Sequence, residues 1–252
     1  YNYIIYVVKG VVYMKKILLI IPAYNEEKSI LNVVNKIYNY NKEINTKYDV
    51  VVINDGSSDN TEKILCENNI NHIKLISNLG IGGAVQTGYK YALENDYDIA
   101  VQFDGDGQHD IRYVRDIIKP IIDNDANMVI GSRFIDKSTS KFKSSKARQI
   151  GIKMISFFIK LVTSKKIYDT TSGFRAVDKE LIKKFSNSYP VEYPEPVSTT
   201  EILKKGYKVE EVAVSMNERE TGISSIRMWK NCYYMINVIL YILVIGIRRY
   251  KK

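Results

Sequence analysis

The chain predicts an α/β fold, a mostly parallel sheet flanked by helices. Three observations predict it. Apolar runs recur at residues 17–21, 50–54, 73–77, 99–103 and 128–131, short enough for strands and apolar enough to be covered on both faces. Between them, segments 26–38, 60–68, 83–94 and 111–122 carry apolar residues at helical spacing. Four of the strand ends run into polar or glycine-rich residues, at the sheet edge where open parallel sheets bind ligands.

The elements follow in order. Residues 1–13 are apolar with one charge, Lys9; they are too short to span a bilayer and lack the pattern of a signal peptide. They are expected to be a non-native or disordered leader outside the fold, with Met14-Lys15-Lys16 opening the domain proper at 14–226 and an apolar helix closing the chain at 227–252. The first strand ends in Pro22-Ala23-Tyr24-Asn25-Glu26, the second in Asp55-Gly56-Ser57-Ser58-Asp59. Asp59, Ser57 or Ser58 suits the cap of the helix near Asn60; Asp55, at the strand end, does not, and is open to a ligand role. Gly80, Gly82 and Gly83 precede the next helix, as in a phosphate-binding turn or as in any tight entry to a helix.

The fourth strand ends in Asp104-Gly105-Asp106, followed by Gln108 and His109. Residues i and i+2 of an extended strand share a face, so the two carboxylates converge, and Gly105 leaves room for a bulky group between them. Paired hard oxygens suit Mg²⁺ or Mn²⁺, which complete their shells with water and phosphate oxygens.

After Phe134 the alternation stops. Residues 136–148 are rich in Lys and Ser and read as a loop; 150–162 reads as an amphipathic helix with Ile150, Met154, Phe157, Phe158 and Leu161 on one face. A core helix is the default for that face, and Lys141, Lys143, Lys146 and Arg148 just upstream favour a membrane surface instead. Residues 232–247 are apolar apart from Asn237 and the tyrosines, and basic residues flank both ends. As a helix this run covers about 24 Å, short of a hydrocarbon core of roughly 30 Å. It is expected to lie at the interface rather than span, or to bury itself against another copy.

The net charge of +9 and pI near 9.2 point to an anionic partner. No nucleic-acid motif is present, so lipid and phosphorylated substrates rank above nucleic acid. Cys66 and Cys232 form no CxxC pair, which fits a reduced compartment without disulfides.

The blocks Ile21-Pro22-Ala23-Tyr24-Asn25-Glu26-Glu27, Asn54-Asp55-Gly56-Ser57-Ser58-Asp59-Asn60-Thr61, Gly80-Ile81-Gly82-Gly83-Ala84 and Asp104-Gly105-Asp106-Gly107-Gln108-His109 come in that order. Gly131-Ser132-Arg133-Phe134, Thr171-Ser172-Gly173-Phe174-Arg175, Arg219 and Gly222 to Ser225 follow. Together they resemble the inverting family-two glycosyltransferases of GT-A fold. The likeness is strongest to the dolichol-phosphate mannose synthase branch and its bacterial polyprenyl-phosphate sugar transferase relatives.

The resemblance implies a set of roles. Pro22, Ala23, Tyr24 and Glu26 border the nucleotide base and ribose, Asp55 hydrogen-bonds one of them, and Gly83 belongs to the same nucleotide-sugar set. Asp104, Asp106 and Gln108 surround a divalent metal, Mg²⁺ or Mn²⁺, that bridges the donor diphosphate. Arg133 and Ser172 face the acceptor phosphate, with Gln108 and Glu195 beside it, and Arg219 clamps phosphate when its loop closes. Asp106, Arg133 and Arg219 form the catalytic set. In one respect the chain departs from the pattern: bacterial relatives often carry an acidic residue after the proline at 196, and here Val197 follows Pro196. The Q-x-x-R-W motif of processive synthases is absent, which implies transfer of a single sugar.

The expected activity is therefore transfer of one sugar from a nucleoside diphosphate sugar to a polyprenyl phosphate lipid, on the cytoplasmic face of the cell membrane. A glycan or protein hydroxyl is the alternative acceptor, needing a general base such as Asp106 or Glu195. An inactive scaffold binding lipid is the non-enzymatic alternative. A nicotinamide dehydrogenase is excluded, since its glycine loop would follow the first strand directly. A nucleotidylyltransferase fails for the related reason that a Gly-rich first loop is missing. A small membrane partner protein or a second copy of the chain stays open as a partner.

Overall fold

The structure is a computed structural model that describes residues 4–8, 11–135, 146–216 and 228–249, with side chains described over 15–135, 149–216 and 233–249. Strands β1 (Ile4–Val8) and β2 (Val11–Lys15) pair antiparallel as a ribbon of their own. Most of this ribbon falls in the segment expected to be a non-native or disordered leader, and it is not part of the main sheet.

The α/β elements then alternate: β3 (Ile17–Ala23), α1 (Ile30–Glu43), β4 (Asp49–Asn54), α2 (Thr61–Glu67), β5 (His72–Lys74), α3 (Gly80–Glu94) and β6 (Ile99–Gln102). A 3₁₀ turn (Ile111–Tyr113), α4 (Val114–Ile122), β7 (Met128–Ser132) and α5 (Lys146–Thr163) follow. The chain continues with β8 (Arg175–Asp178), α6 (Lys179–Asn187), α7 (Pro194–Lys204), β9 (Val209–Ala213) and α8 (Met228–Ile247).

The main sheet has seven strands in the order β5-β4-β3-β6-β8-β7-β9. β8 runs antiparallel to both neighbours, and every other pairing is parallel. The pleat of β3 explains the layering. Ile17, Leu19 and Ile21 face a core built with Ile30, Val33, Val34 and Ile37 of α1 and Val114, Ile117, Ile118 and Ile121 of α4. Leu18 and Ile20 face the opposite core, built with Val85, Tyr89 and Ala92 of α3 and with α5, α6 and α8. Successive strand residues point to opposite faces, so an uninterrupted apolar strand is what a sheet covered on both sides requires.

Three boundaries move for local reasons. α1 starts at Ile30 because Glu26 spends its carbonyl on the amides of Ser29 and Ile30 in a turn. β5 stops at Lys74 instead of 77, and Ile76 is fully exposed where the chain turns away from the sheet. Lys146, expected in a loop, already belongs to α5.

The apolar stripe read on α5 faces the other way. Ile152, Ile155 and Ile159 are the buried positions, whereas Ile150, Met154, Phe157 and Leu161 are exposed. Residues of α8 alternate similarly, with Val238, Ile242 and Ile245 buried and Ile236, Leu240, Val244 and Ile247 exposed. The two helices run side by side in the same direction: a Cβ on Gly151 would lie 3.1 Å from Met235 Sδ, and one on Gly246 would lie 2.7 Å from Val162 Cγ1. α8 is 20 residues long, starting ahead of the apolar run. Among the described residues no helix is long and apolar enough to cross a membrane.

Candidate active site

The C-terminal ends of β3, β4, β6 and β7 meet at one edge of the sheet, and the reversed β8 begins there. The loops after β3 and β4 are laced together. Ser57 Oγ accepts the Asn25 N–H at 3.0 Å, and Asn25 Oδ1 accepts that of Ser58 at 2.9 Å. Asp59 accepts from the backbone of both Glu27 and Thr61, so it caps the start of α2 and ties it to the neighbouring loop. Pro22 and Ala23 close β3, Tyr24 stands half out in solvent, and the Glu26 carboxylate accepts from Ser29 Oγ at 2.5 Å.

Asp55 is buried, and its Oδ1 accepts the Leu79 N–H at 2.7 Å, drawing the start of α3 toward β4. Gly80, Gly82 and Gly83 do not precede α3 but form its first turn. Gly82 packs against the backbone of 190–191, where a Cβ would meet the Pro190 carbonyl oxygen at 2.3 Å. Gly83 is likewise buried. Gly82 thus lets α3 approach another segment, Gly83 makes room for the Leu79 side chain, and Gly80, at φ +75°, turns the chain into the helix.

Asp104 and Asp106 follow β6, and the loop that carries them is closed by His109. The Asp104 N–H donates to His109 Nδ1 at 2.9 Å, and His109 Nε2 lies 3.3 Å from Asp104 Oδ2. An Nδ1 that accepts leaves the proton on Nε2, pointed at the carboxylate. Burial holds the imidazole below its usual pKa, against the pull of Asp104 and Asp106. Its ring stacks on Phe174, with centroids 4.6 Å apart, and meets Phe103 edge-on. Asp106 is buried and its Oδ1 accepts the Gln108 N–H at 3.0 Å. A Cβ at Gly173 would lie 3.0 Å from Gln102 Nε2 and 3.1 and 3.2 Å from the two Asp104 carboxylate oxygens, so any side chain there would crowd them.

Two carboxylates and no imidazole lone pair make a hard-oxygen set, which fits Mg²⁺ or Mn²⁺. Among the described residues no group of three His, Cys, Asp or Glu converges here. A cation at this point therefore draws the rest of its shell from elsewhere, as Mg²⁺ does from phosphate oxygens and water.

Arg133 and Ser172, expected to face an acceptor phosphate, are engaged inside the protein. The Arg133 guanidinium is 6% exposed and forks onto Asp169, Nε to Oδ2 at 2.7 Å and Nη2 to Oδ1 at 2.8 Å, with Thr171 Oγ1 at 3.1 Å. Burial disfavours its charge, and Asp169 and Asp104 more than reverse that, raising its pKa. Ser172 Oγ donates to the Gly131 carbonyl at 2.6 Å and accepts the Phe174 N–H. Ser172 thereby fastens the segment before β8 to β7. Asp169 is itself seated by Glu211 of β9, which accepts the backbone N–H groups of Tyr168 and Asp169.

Glu195, in the first turn of α7, is near enough to feel both Arg175 and Asp104, and burial pushes its carboxyl up. Arg175 is fully buried and donates to Ser172, Glu195, Ser198 and Thr199. Among the described residues its Nη2 has no partner, nor has Oε1 of Gln102, its register partner on β6. Arg219 and Gly222 to Ser225 lie outside the described residues. The sequence pointed to the carboxylates of this edge but not to the work of His109, Asp169 or Arg175; His109 and Arg175 each stood as the last residue of a motif block, and Asp169 in none.

The fold and this sheet edge define a nucleotide-sugar transferase of the GT-A class. The chain belongs to glycosyl transferase family 2, whose sequence profile matches residues 18–186. It is 38% identical to a UDP-N-acetylglucosamine–dolichyl-phosphate N-acetylglucosaminyltransferase of Methanococcus voltae, over 77% of this chain and 82% of the relative. It is 25% identical to the polyprenol monophosphomannose synthase of Mycolicibacterium smegmatis, over 83% of this chain and 80% of that one. Among solved structures it is similar to glucosyl-3-phosphoglycerate synthase of Mycobacterium tuberculosis in complex with Mn²⁺, UDP and phosphoglyceric acid. The TM-score is 0.68 at 16% identity, covering 94% of this chain and 80% of that one.

Proposed function

We propose that this glycosyltransferase moves a single sugar, with inversion, from a nucleoside diphosphate sugar to a polyprenyl phosphate, using Mg²⁺ or Mn²⁺. The observation that carries the proposal is the Asp104–Asp106 loop, locked by His109 at the sheet edge with the buried Arg133–Asp169 pair close by. The names of the relatives support the lipid phosphate acceptor. A phosphate oxygen of the acceptor forms the new bond to the anomeric carbon as the bond to the diphosphate breaks, and the electron pair leaves with the nucleoside diphosphate. The cation, when bound, supplies Lewis-acid stabilisation of that departing charge.

The chain's own residues do the positioning. Asp104 and Asp106 would hold the cation, and the His109 N–H fixes the orientation of the Asp104 carboxylate. Pro22, Ala23, Tyr24, Glu26 and Asp55 border the nucleotide. Gln102 Oε1 and Arg175 Nη2, buried without partners among the described residues, offer the kind of groups that a sugar hydroxyl or a water satisfies. An ionised phosphate needs no general base. Glu195 favours a second reading, because a buried carboxyl with a raised pKa is suited to deprotonate a glycan or protein hydroxyl.

The exposed apolar residues of α5 and α8 support a place on a membrane surface. With the chain's net charge of +9, the proposed location is the cytoplasmic face. The deciding experiment offers labelled UDP-, GDP- and dTDP-sugars with polyprenyl phosphate, in Mn²⁺, Mg²⁺ or EDTA, to the wild type and to Asp106→Asn. Labelled lipid formed from one donor, lost in EDTA and in the variant, is the expected result. Donor hydrolysis without lipid product would turn the reading to hydroxyl acceptors.

A further inference from the structure

On the far flank of the sheet, away from Asp104, three side chains of metal-ligating type converge. Glu62 and Cys66 stand one turn apart on α2, and His72 opens β5 beside them. His72 Nε2 is 3.5 Å from Glu62 Oε1 and 3.8 Å from Cys66 Sγ, and Cys66 Sγ is 3.9 Å from Glu62 Oε1. A tetrahedral zinc with ordinary bond lengths sets its sulfur–nitrogen edge at about 3.6 Å, its nitrogen–oxygen edge at about 3.4 Å and its sulfur–oxygen edge at about 3.6 Å. The triangle here is wider than that by about 0.3 Å or less on every side.

The surrounding hydrogen bonds aim the ligand atoms inward. His72 Nδ1 lies 2.7 Å from the Ile70 carbonyl oxygen. A carbonyl only accepts, so Nδ1 carries the proton and the Nε2 lone pair faces the sulfur and the carboxylate. Metal-bound imidazoles almost always donate their other N–H to a carboxylate, a backbone carbonyl or water. Glu62 is oriented the same way: its Oε2 accepts from Asn54 Nδ2 at 2.6 Å, which leaves Oε1 for the triangle. With a neutral imidazole two acceptors, Nε2 and Oε1, face each other, and the single proton of a Cys66 thiol can satisfy only one of them; an imidazolium instead donates to Oε1. Lys74 Nζ stands 3.7 Å from Oε1, but its side chain is largely exposed and free to swing into solvent.

We propose that Glu62, Cys66 and His72 form a second metal site, of the thiolate–imidazole–carboxylate kind that selects Zn²⁺ over the hard cations. Binding removes the Cys66 thiol proton to solvent and leaves the fourth position to water. The ion joins α2 to β5. Through Asn54, whose Oδ1 accepts the Ser57 N–H at 3.0 Å, it also steadies the loop after β4. The site is separate from the cation site proposed at Asp104 and Asp106, whose carboxylates would supply only oxygen.

The test uses the full chain stripped of metal, with excess Mg²⁺ present, titrated with Co²⁺. About one equivalent should produce tetrahedral visible bands and a thiolate-to-cobalt charge-transfer band, both removed by added Zn²⁺. Cys66→Ser and His72→Ala should lose the charge-transfer band while keeping the wild-type circular dichroism; Cys232→Ser and Asp104→Asn should retain it. Wild-type chain with no such band at stoichiometric Co²⁺, or a band that survives in Cys66→Ser, overturns the proposal. Alkylation gives a readout that needs no variant: Zn²⁺ at 100 times its Kd should slow Cys66 modification about 100-fold. An unchanged rate at millimolar Zn²⁺ would overturn the site equally.

Discussion

His109 and Asp104 hold each other twice: the Asp104 N–H donates to Nδ1 at 2.9 Å, and Nε2 sits 3.3 Å from the same residue's carboxylate. One imidazole thus sets both the backbone and the side chain of a proposed metal ligand. Replacing it with phenylalanine keeps the ring against Phe174 but removes both bonds. Outer-shell partners of metal ligands typically matter 10–100-fold, so His109→Phe should weaken Mn²⁺ binding by about 10–100-fold. Electron paramagnetic resonance of free Mn²⁺ would measure this, and unchanged affinity would remove His109 from the site.

The Arg133–Asp169 pair is almost fully enclosed, at 6% and 0% side-chain exposure. Removing one partner of such a pair leaves a buried charge without compensation, which costs about 3–5 kcal/mol. Asp169→Ala is expected to lose stability on that scale in urea denaturation, and Thr171→Ala, which removes one neutral acceptor, much less. Equal effects would mean that the fork onto Asp169 is not what keeps Arg133 in place.

Glu195 makes a pH-dependent contribution of definite sign. Its folded pKa lies above the ordinary 4.5 because burial disfavours the carboxylate. From 4.5 up to the folded pKa, the native state binds more protons than the unfolded state, so stability falls as pH rises. Glu195→Gln should therefore be more stable than wild type at neutral pH, with the gap closing as pH drops toward 4.5. Thermal melts across that range would check it. A gap that widens on acidification would reverse the assignment.

Phe157 and Leu240 lie on the outward faces of α5 and α8, at 61% and 53% exposure. Aspartate at both should leave the melting temperature near that of wild type and abolish sedimentation with anionic vesicles. Wild-type sedimentation by the double variant would argue that neither face meets the lipid.

How far the sequence could be read depends on where the determining contacts lie. β3, β4, β6 and β7 were legible because each is an apolar run buried on both faces. β8 was not, since it has four residues and opens with a fully buried arginine. That burial is tolerable only because Ser172, Glu195, Ser198 and Thr199 arrive from other segments to accept its protons. α5 was legible as a helix but not by face. It is apolar on both sides, so periodicity alone cannot tell Ile152, Ile155 and Ile159 from Ile150, Met154 and Phe157. The carboxylates at 104 and 106 stood out by spacing alone, whereas the work of His109 depends on a ring at Phe174, far along the chain.

The position of β8 also has a consequence in time. It lies between β6 and β7 in the sheet, yet both of these precede it in the chain. A nascent polypeptide that has emerged only through β7 holds two strands with a one-strand gap between them, each with an unpaired edge open to foreign strands. The gap closes only when residues 175–178 arrive, bringing Phe174 to the ring of His109 in the same step. Ribosome-bound or truncated intermediates ending before that point are the ones most exposed to aggregation, and the molecule acquires its closed Asp104–Asp106 loop and its continuous sheet together.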